Sequence, residues 1–358
     1  MAAPEITSSF KPARPTIYVD DKKMPALSEG LLTLLVEETT EGLYRCEAAF
    51  GNWGTKGNEV GFLYFDRQVF DFGKPFAIDT GEGETAARVF DGRIMALESQ
   101  YPADRPPELL IMAEDKLQDL RMTRRSRSFE DVGDSDVFEQ VARDHGLQSD
   151  VDVDGPTHRV LTQVNQSDLA FLRQRARAVD AQLWLEEGTL MVKTHSRRDG
   201  GEVTLTYSKA LKEFSVSADL AGQCTALVVG GWDVSGKENI EYEATDSVLS
   251  GELNGGESGS SLLQSAFGER VERVVHLVPE NSDEARYLAE AEYRIRARRF
   301  IAGRGVTDGD GRIRVGVMLT LNGLGDMFDG KYYVTEVRHT FDGTNGFRTY
   351  FRVERPGL

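Results

Sequence analysis

The chain has 358 residues, of which 59 are acidic and 42 are lysine or arginine, so its formal net charge is −17 at pH 7. This length suits two or three domains, each with a core of its own. A hydrophobic fraction of 40% excludes a wholly disordered chain. The negative charge argues against nucleic acid or an anionic membrane surface as a partner, because both attract clustered lysine and arginine.

Signals for export are missing from the sequence. No apolar run approaches the roughly 18 residues of a membrane-spanning helix, and residues 1–11 lack the basic and apolar segments of a signal peptide. The two cysteines, Cys46 and Cys224, are too few for a disulfide framework. We therefore expect assembly in the cytoplasm, no membrane insertion, and cysteines that are small buried apolar residues.

The first third of the chain has a β pattern. Residues 1–15 contain three prolines, which predicts an extended N-terminal arm. From residue 16 to 115, short apolar runs alternate with Gly, Asn, Asp and Pro, as at 17–19, 31–36, 43–50 and 109–113. This spacing predicts a barrel or a sandwich.

Residues 116–200 change to a helical period. Residues 134–136 predict the cap of a helix that Gly146 ends, and Ser167 predicts the cap of a second helix. A hairpin with its turn at Glu187-Gly188 follows. Two helices and a hairpin predict a small α+β insert domain.

The β pattern returns over residues 201–358. Residues 235–260 are rich in Gly, Ser and Glu, which predicts a flexible insertion. A long helix is expected over 282–302, and strands are expected over 312–321, 331–341 and 347–354. The predicted fold class is therefore mainly β with an α+β insert.

The sequence contains no convincing catalytic or metal-binding constellation. The five histidines show no pair at metal-ligand spacing, and neither cysteine has a Cys or His three to five residues away. Acidic pairs are abundant in so acidic a chain and mark no particular cleft. We expect no enzyme activity, no cofactor and no metal.

A basic cluster stands out in this acidic chain. It consists of Arg121, Arg124, Arg125 and Arg127. One interpretation is a solvated loop ahead of the first helix. The other is a protein interface, because guanidinium groups pair well with carboxylates on another copy or a partner.

Several longer segments occur in a fixed order along the chain. They are residues 165–173 (Asn-Gln-Ser-Asp-Leu-Ala-Phe-Leu-Arg), 181–185 (Ala-Gln-Leu-Trp-Leu), 188–190 (Gly-Thr-Leu) and 330–341 (Gly-Lys-Tyr-Tyr-Val-Thr-Glu-Val-Arg-His-Thr-Phe). These segments resemble the phage late-control protein D family, which also includes the N-terminal hub of type VI secretion VgrG proteins. The resemblance spans about residues 15–355.

The resemblance implies a baseplate hub of a contractile injection system. Such hubs carry two tube-like β-barrels per chain, here over residues 16–115 and 201–358, and assemble as homotrimers. Six barrels would then match a hexameric inner tube on one side and a trimeric spike on the other. The chain stops at Leu358, where VgrG proteins continue into a spike, so the resemblance implies a separate spike protein and other baseplate components as partners.

Two alternatives remain open at this point. The chain could be a monomeric β-rich binding or adaptor module, which its mass in solution would distinguish from a trimer. It could also be a hydrolase on a β-scaffold, although no acidic pair in the sequence recommends itself. The resemblance further implies a place in a phage-tail-like particle, either released or docked at a membrane.

Overall fold

The computed structural model describes residues 14–81, 87–233, 236–253 and 255–358. Its strands and helices pack around four hydrophobic cores. We call the corresponding parts of the molecule the first β unit, the first α+β unit, the second β unit and the second α+β unit, in the order in which the chain enters them. The arm expected over residues 1–15 lies outside the described residues up to position 13.

The first β unit fills residues 16–114. Its strands alternate buried and exposed residues; Leu109, Ile111 and Ala113, for example, point into the core. Its elements are β1 (Thr16–Val19), β2 (Lys22–Lys23), α1 (Pro25–Gly30), β3 (Leu31–Thr39), β4 (Arg45–Gly51), β5 (Trp53–Lys56), β6 (Glu59–Phe62), β7 (Pro75–Thr80), β8 (Ala87–Gln100) and β9 (Glu108–Glu114).

The first α+β unit follows directly. Ser167 caps a helix as expected, since its hydroxyl oxygen accepts the N–H of Ala170 at 3.3 Å. Its elements are α2 (Gln118–Arg121), β10 (Arg124–Gly133), α3 (Asp134–Asp144), β11 (Gln148–Asp152), β12 (Thr157–Ser167), α4 (Asp168–Ala178), β13 (Ala181–Glu186), β14 (Thr189–Thr194) and a 3₁₀ turn at His195–Arg197.

The second β unit is interrupted by the second α+β unit. The chain first forms β15 (Glu202–Thr206) and β16 (Leu211–Ala218) of the β unit. The inserted unit consists of β17 (Ala226–Asp233), β18 (Glu238–Thr245), a 3₁₀ turn at Asp246–Leu249, α5 (Gly259–Phe267), β19 (Val271–Val274) and α6 (Ser282–Arg298). The β unit is completed by β20 (Ile301–Asp308), β21 (Met318–Asn322), β22 (Gly330–Asp342) and β23 (Gly346–Arg355).

Three expectations for this half of the chain need correction. The insertion expected at 235–260 contains β18 and a 3₁₀ turn, because Ile240 and Ala244 are buried while Glu241 and Glu243 between them are exposed. The helix expected over 282–302 ends at Arg298, since from Ile301 the backbone pairs with β16 and β23. The strand expected over 312–321 begins only at Met318, after turns.

The two β units belong to one sheet of thirteen strands. Its order is β16-β20-β23-β22-β3-β4-β9-β8-β7-β1-β2; β21 pairs with β22, and β15 pairs with β21. Both regions expected as separate barrels therefore share a continuous sheet, joined where β3 pairs with β22. No helix in the described ranges is long and apolar enough to cross a membrane.

Candidate assembly interface

The two β units repeat the same order of strands. In the first unit the order is β1-β7-β8-β9-β4-β3, and in the second it is β15-β21-β22-β23-β20-β16. The correspondence has one departure, because β15 runs parallel to β21 whereas β1 runs antiparallel to β7. The chain therefore contains two versions of one six-stranded unit.

Two of the irregularities in the first unit recur in the second. The β8–β9 ladder skips Met95, and the β22–β23 ladder skips Thr335 at the equivalent place. The β3–β4 ladder skips Leu32, and the β16–β20 ladder skips Lys212. Because a bulge shifts all later pairs by one residue, matching bulges fix the equivalence residue by residue.

A backbone contact to each long strand, one residue before its bulge, supports this alignment. Gly73 donates its N–H to the carbonyl of Ile94 at 2.8 Å, and Gly316 donates to the carbonyl of Val334 at 3.0 Å. Both glycines have positive φ angles, +76° and +95°. Ile94 and Val334 are therefore equivalent, as the bulges also require.

The junction between the units is an antiparallel strand pair. Residues 33–39 of β3 lie opposite residues 336–342 of β22. Leu34 faces Phe341, and both are almost fully buried, at 3% and 2% exposure. Phe341 belongs to the core of the first unit although it lies on a strand of the second. The junction is thus built from shared core packing as well as backbone pairing.

Buried polar contacts support this junction from one side. Arg198 donates to the hydroxyl of Tyr44 at 3.0 Å and to the carbonyl of Val315 at 2.8 Å. Its guanidinium lies 3.9 Å from the ring centre of Trp184. Burial raises the pKa of the neighbouring Glu38 carboxyl, although its ion pair with Arg314 opposes that shift. Residues from both β units and the first α+β unit therefore meet at one point.

A second buried contact links the two α+β units. Arg298 of α6 donates to both carboxylate oxygens of Asp180, at 2.5 and 2.6 Å, and to both of Glu252, at 2.7 Å. Arg298 is only 3% exposed. Burial raises the pKa of Asp180, while the charge of Arg298 opposes that rise. This contact fixes α6 against the chain segment that follows α4.

The four arginines of the basic cluster lie on α2 and β10 rather than on a loop. Arg127 donates to Asp168 at 2.8 Å and to Asp144 at 2.6 Å, and Arg125 lies 3.2 Å from Asp168. Burial favours the neutral form of Asp168, but the hydrogen bond from His145 at 2.8 Å helps to hold its pKa below the ordinary value. Much of the cluster is therefore paired within the unit.

The other two arginines are more open. Arg121 pairs with Glu114, whereas Arg124 donates to the carbonyl of Asn165 at 3.1 Å. Within the described residues, no carboxylate lies within ion-pair distance of Arg124. The role of Arg121, Arg124, Arg125 and Arg127 as an interface stays a prediction.

An exposed aromatic group lies on the first β unit. Trp53 and Phe62 pack edge to face across the β5–β6 hairpin, with ring centres 5.1 Å apart, and Phe62 stacks on Phe65 at 4.6 Å. Tyr101, which directly follows β8, completes the group and is 64% exposed. Clustered exposed rings of this kind mark interaction surfaces.

An open cleft of about 620 Å³ lies between α4, α6 and strands β22 and β23. Burial raises the pKa of Glu354 in this cleft to about 7. Asp180 and Glu252 beside it are both held by Arg298, so neither is available as an acid or base. Among the described residues, no group of three or more His, Cys, Asp and Glu is arranged to hold a metal ion.

Comparisons with solved structures identify a tail-protein fold. The 43 kDa tail protein of prophage MuSo2 from Shewanella oneidensis superimposes with a TM-score of 0.70 at 14% identity, covering 96% of this chain and 98% of that one. A tail protein from Neisseria meningitidis MC58 gives 0.69 at 12% identity, covering 96% of both chains. The E. coli c3393 protein, a type VI secretion component, gives 0.56 at 11% identity, covering 91% of this chain and 73% of that one.

The family follows from a sequence comparison. The model described as the Alg8 N-terminal domain matches residues 56–342, well over half of the chain, so the chain belongs to that family. No curated protein matches this chain. The structural likeness, at these low identities, concerns the fold.

Proposed function

We propose that this chain is the baseplate hub subunit of a phage-tail-like contractile injection system. Three copies form a ring of six β units that joins a hexameric inner tube to a separate trimeric spike. The observation that carries the proposal is the repeat of one six-stranded unit within the chain, joined edge to edge by β3 and β22. Two units per chain make three chains equivalent to six subunits around a ring.

The comparisons support the same role. Tail proteins from a Shewanella oneidensis prophage and from Neisseria meningitidis MC58 share this fold over nearly their whole length. A type VI secretion component described as structurally similar to tail proteins shares it as well. The resemblance over residues 165–190 and 330–341 points to the hub among the parts of such machines.

The function is mechanical coupling and needs no reaction. Asp180 and Glu252 beside the main cleft are both paired with Arg298, which favours the structural role over a hydrolase. The monomeric adaptor would leave the exposed aromatic group and the open sheet edges without a partner. Large surfaces of this kind are covered in a stable assembly.

The test is capture of the tagged chain from its native host, followed by electron microscopy of the eluate. Sheathed tubes, or a spike protein in stoichiometric amounts, are the expected result. Recovery of the chain without tube, sheath or spike would contradict the hub and favour the monomeric adaptor module. A matched capture with an unrelated tagged cytoplasmic protein controls for adventitious particles.

A further inference from the structure

The two versions of the β unit differ in how many neighbours their long strand has. β22 pairs with β21, β23 and β3. Its equivalent, β8, pairs among the described residues with β7 and β9 only. Beside β8, the position that corresponds to that of β3 beside β22 holds no strand of the described residues. The edge concerned is the later half of β8, beyond Ile94, on the side where β7 has ended.

The outer strands show the complementary difference. β3 pairs with β4 on one side and with β22 on the other. Its equivalent, β16, pairs with β20 and, within the described part of the chain, with no strand on its other side. One chain therefore carries two open strand edges, one on β16 and one on the later half of β8. The first is equivalent to the β3 side of the internal junction, and the second is equivalent to the β22 side.

We infer that β16 of one copy pairs with the later half of β8 of the next copy, in the geometry of the internal β3–β22 junction. The inference rests on the proposed function, because a ring of six β units is the assembly that this joint closes. The joint is heterologous: each copy uses a different surface on each side. Such contacts close into a ring when the rotation between copies permits it.

The register follows from the bulges. Within the chain, Leu34 lies opposite Phe341, and their equivalents are Phe214 and Tyr101. Transferring the central five of its seven pairs gives antiparallel pairs of Leu97 with Ala218, Glu98 with Ser217, Ser99 with Val216, Gln100 with Ser215, and Tyr101 with Phe214.

Burial supports this assignment. Leu34, Val36 and Phe341 are buried at the internal junction. Their equivalents Phe214 and Val216 are only partly buried, and Tyr101 is 64% exposed. The side chains that are covered at the internal junction thus have exposed or half-exposed equivalents on β16 and at the end of β8. A second copy covers them by strand addition, which satisfies backbone groups and apolar side chains together.

Disulfide crosslinking tests the register. Opposite residues of an antiparallel pair lie about 4.5–5.5 Å apart between Cα atoms, within the range that a disulfide spans. The variant Gln100→Cys/Ser215→Cys should give covalent dimers and larger species on mild oxidation. Both native cysteines are buried. The control Gln100→Cys/Ser217→Cys is two residues out of register, and its Cα atoms should be too far apart to bridge.

A second variant tests the joint without crosslinking. Tyr101→Glu places a charge opposite Phe214, so self-association should weaken at least about tenfold in sedimentation equilibrium. The control is Phe72→Glu, whose native ring is 58% exposed on the same unit but outside the ladder. Circular dichroism establishes that both variants fold.

These experiments test the strand pairing between copies independently of the proposed hub function. Covalent dimers and larger species from the in-register cysteine pair, together with weakened association of Tyr101→Glu, support the joint even if capture from the host yields no tube. Three results would overturn the joint. They are oligomers that the in-register pair does not crosslink, equal crosslinking by the out-of-register pair, and a chain that stays monomeric at all concentrations. Tubes and spike in the host capture would then leave the hub standing.

Discussion

Met95 and Thr335 occupy the same position in the two halves of the molecule. Each is the residue skipped just after a long strand stops pairing with one neighbour, β7 in the case of β8 and β21 in the case of β22. Bulges are retained where they shape a sheet, and here they mark the place at which β22 leaves β21 and meets β3. A sheet continued in the same way beyond the chain would build a ring.

The buried arginine between the two α+β units should be essential for stability. Arg298→Ala removes the buried guanidinium that pairs with both Asp180 and Glu252, so we expect a loss of about 3–5 kcal/mol in the free energy of unfolding. Chemical denaturation measures it. Arg143→Ala, which removes an exposed pair with Glu139, is the control and should change stability by less than about 0.5 kcal/mol. Equal effects of the two substitutions would contradict the structure of this contact.

The equivalent glycines Gly73 and Gly316 should respond differently to alanine. At Gly73 a Cβ meets nothing within 4 Å, so Gly73→Ala costs only the strain of a positive φ, about 1–2 kcal/mol. At Gly316 a Cβ would lie 2.4 Å from Nε of Arg198, which already holds Tyr44 and Val315. Gly316→Ala should therefore cost roughly 1–3 kcal/mol more. Thermal or chemical unfolding of both variants decides it, and equal losses would contradict the close packing of Arg198.

The junction histidine should make the protein sensitive to acid. Burial, reinforced by the charge of Arg314, lowers the pKa of His339 to about 3, whereas an unfolded histidine has a pKa of about 6.5. Between these values the unfolded chain binds the proton that the folded chain excludes, so stability falls as the pH falls below about 6.5. His339→Gln keeps a polar group opposite Thr349 and removes the imidazole whose protonation in the unfolded chain lowers stability in acid.

The expected result is a difference that depends on pH. The unfolding free energy of His339→Gln, relative to wild type, should improve by up to about 1.4 kcal/mol for each pH unit below 6. The exposed His276→Gln is the control and should follow the wild-type curve. Parallel curves for His339→Gln and wild type over pH 4–7 would show that His339 is not buried in its neutral form.

The basic cluster separates into structural and surface members. Arg127→Ala should destabilise the first α+β unit by about 1–3 kcal/mol, because Arg127 donates to the buried Asp168. Arg124→Glu should leave the unfolding free energy nearly unchanged and weaken assembly, measured by light scattering. If Arg124→Glu assembles like the wild type, the cluster serves the fold alone.

Some of the fold was predictable because it depends on local patterns. The cap at Ser167, the burial of both cysteines and the mainly β character follow from residues close in sequence. β18 was missed because its outward face is acidic and its inward face carries few apolar residues, which in composition resembles a loop. The loop interpretation of the basic cluster fails for a similar reason, since most of the first half of β10 is exposed and therefore lacks an apolar strand pattern.

The repeat of the β unit was not predictable from one sequence. Equivalent residues such as Cys46 and Gly303 share neither identity nor size. What they share is a place in the strand ladder, which depends on pairing between distant segments. The second α+β unit further hides the repeat by separating β16 from β20, whereas their equivalents β3 and β4 are joined by a short loop.

The most direct test of the account is the number of copies in the purified assembly. Light scattering coupled to size exclusion gives the mass independently of shape. The account predicts three times the chain mass of 39.8 kDa, with Tyr101→Glu shifted towards the single chain and Phe72→Glu unchanged. A stable monomer, or an assembly of two or four chains, would contradict a ring of six β units.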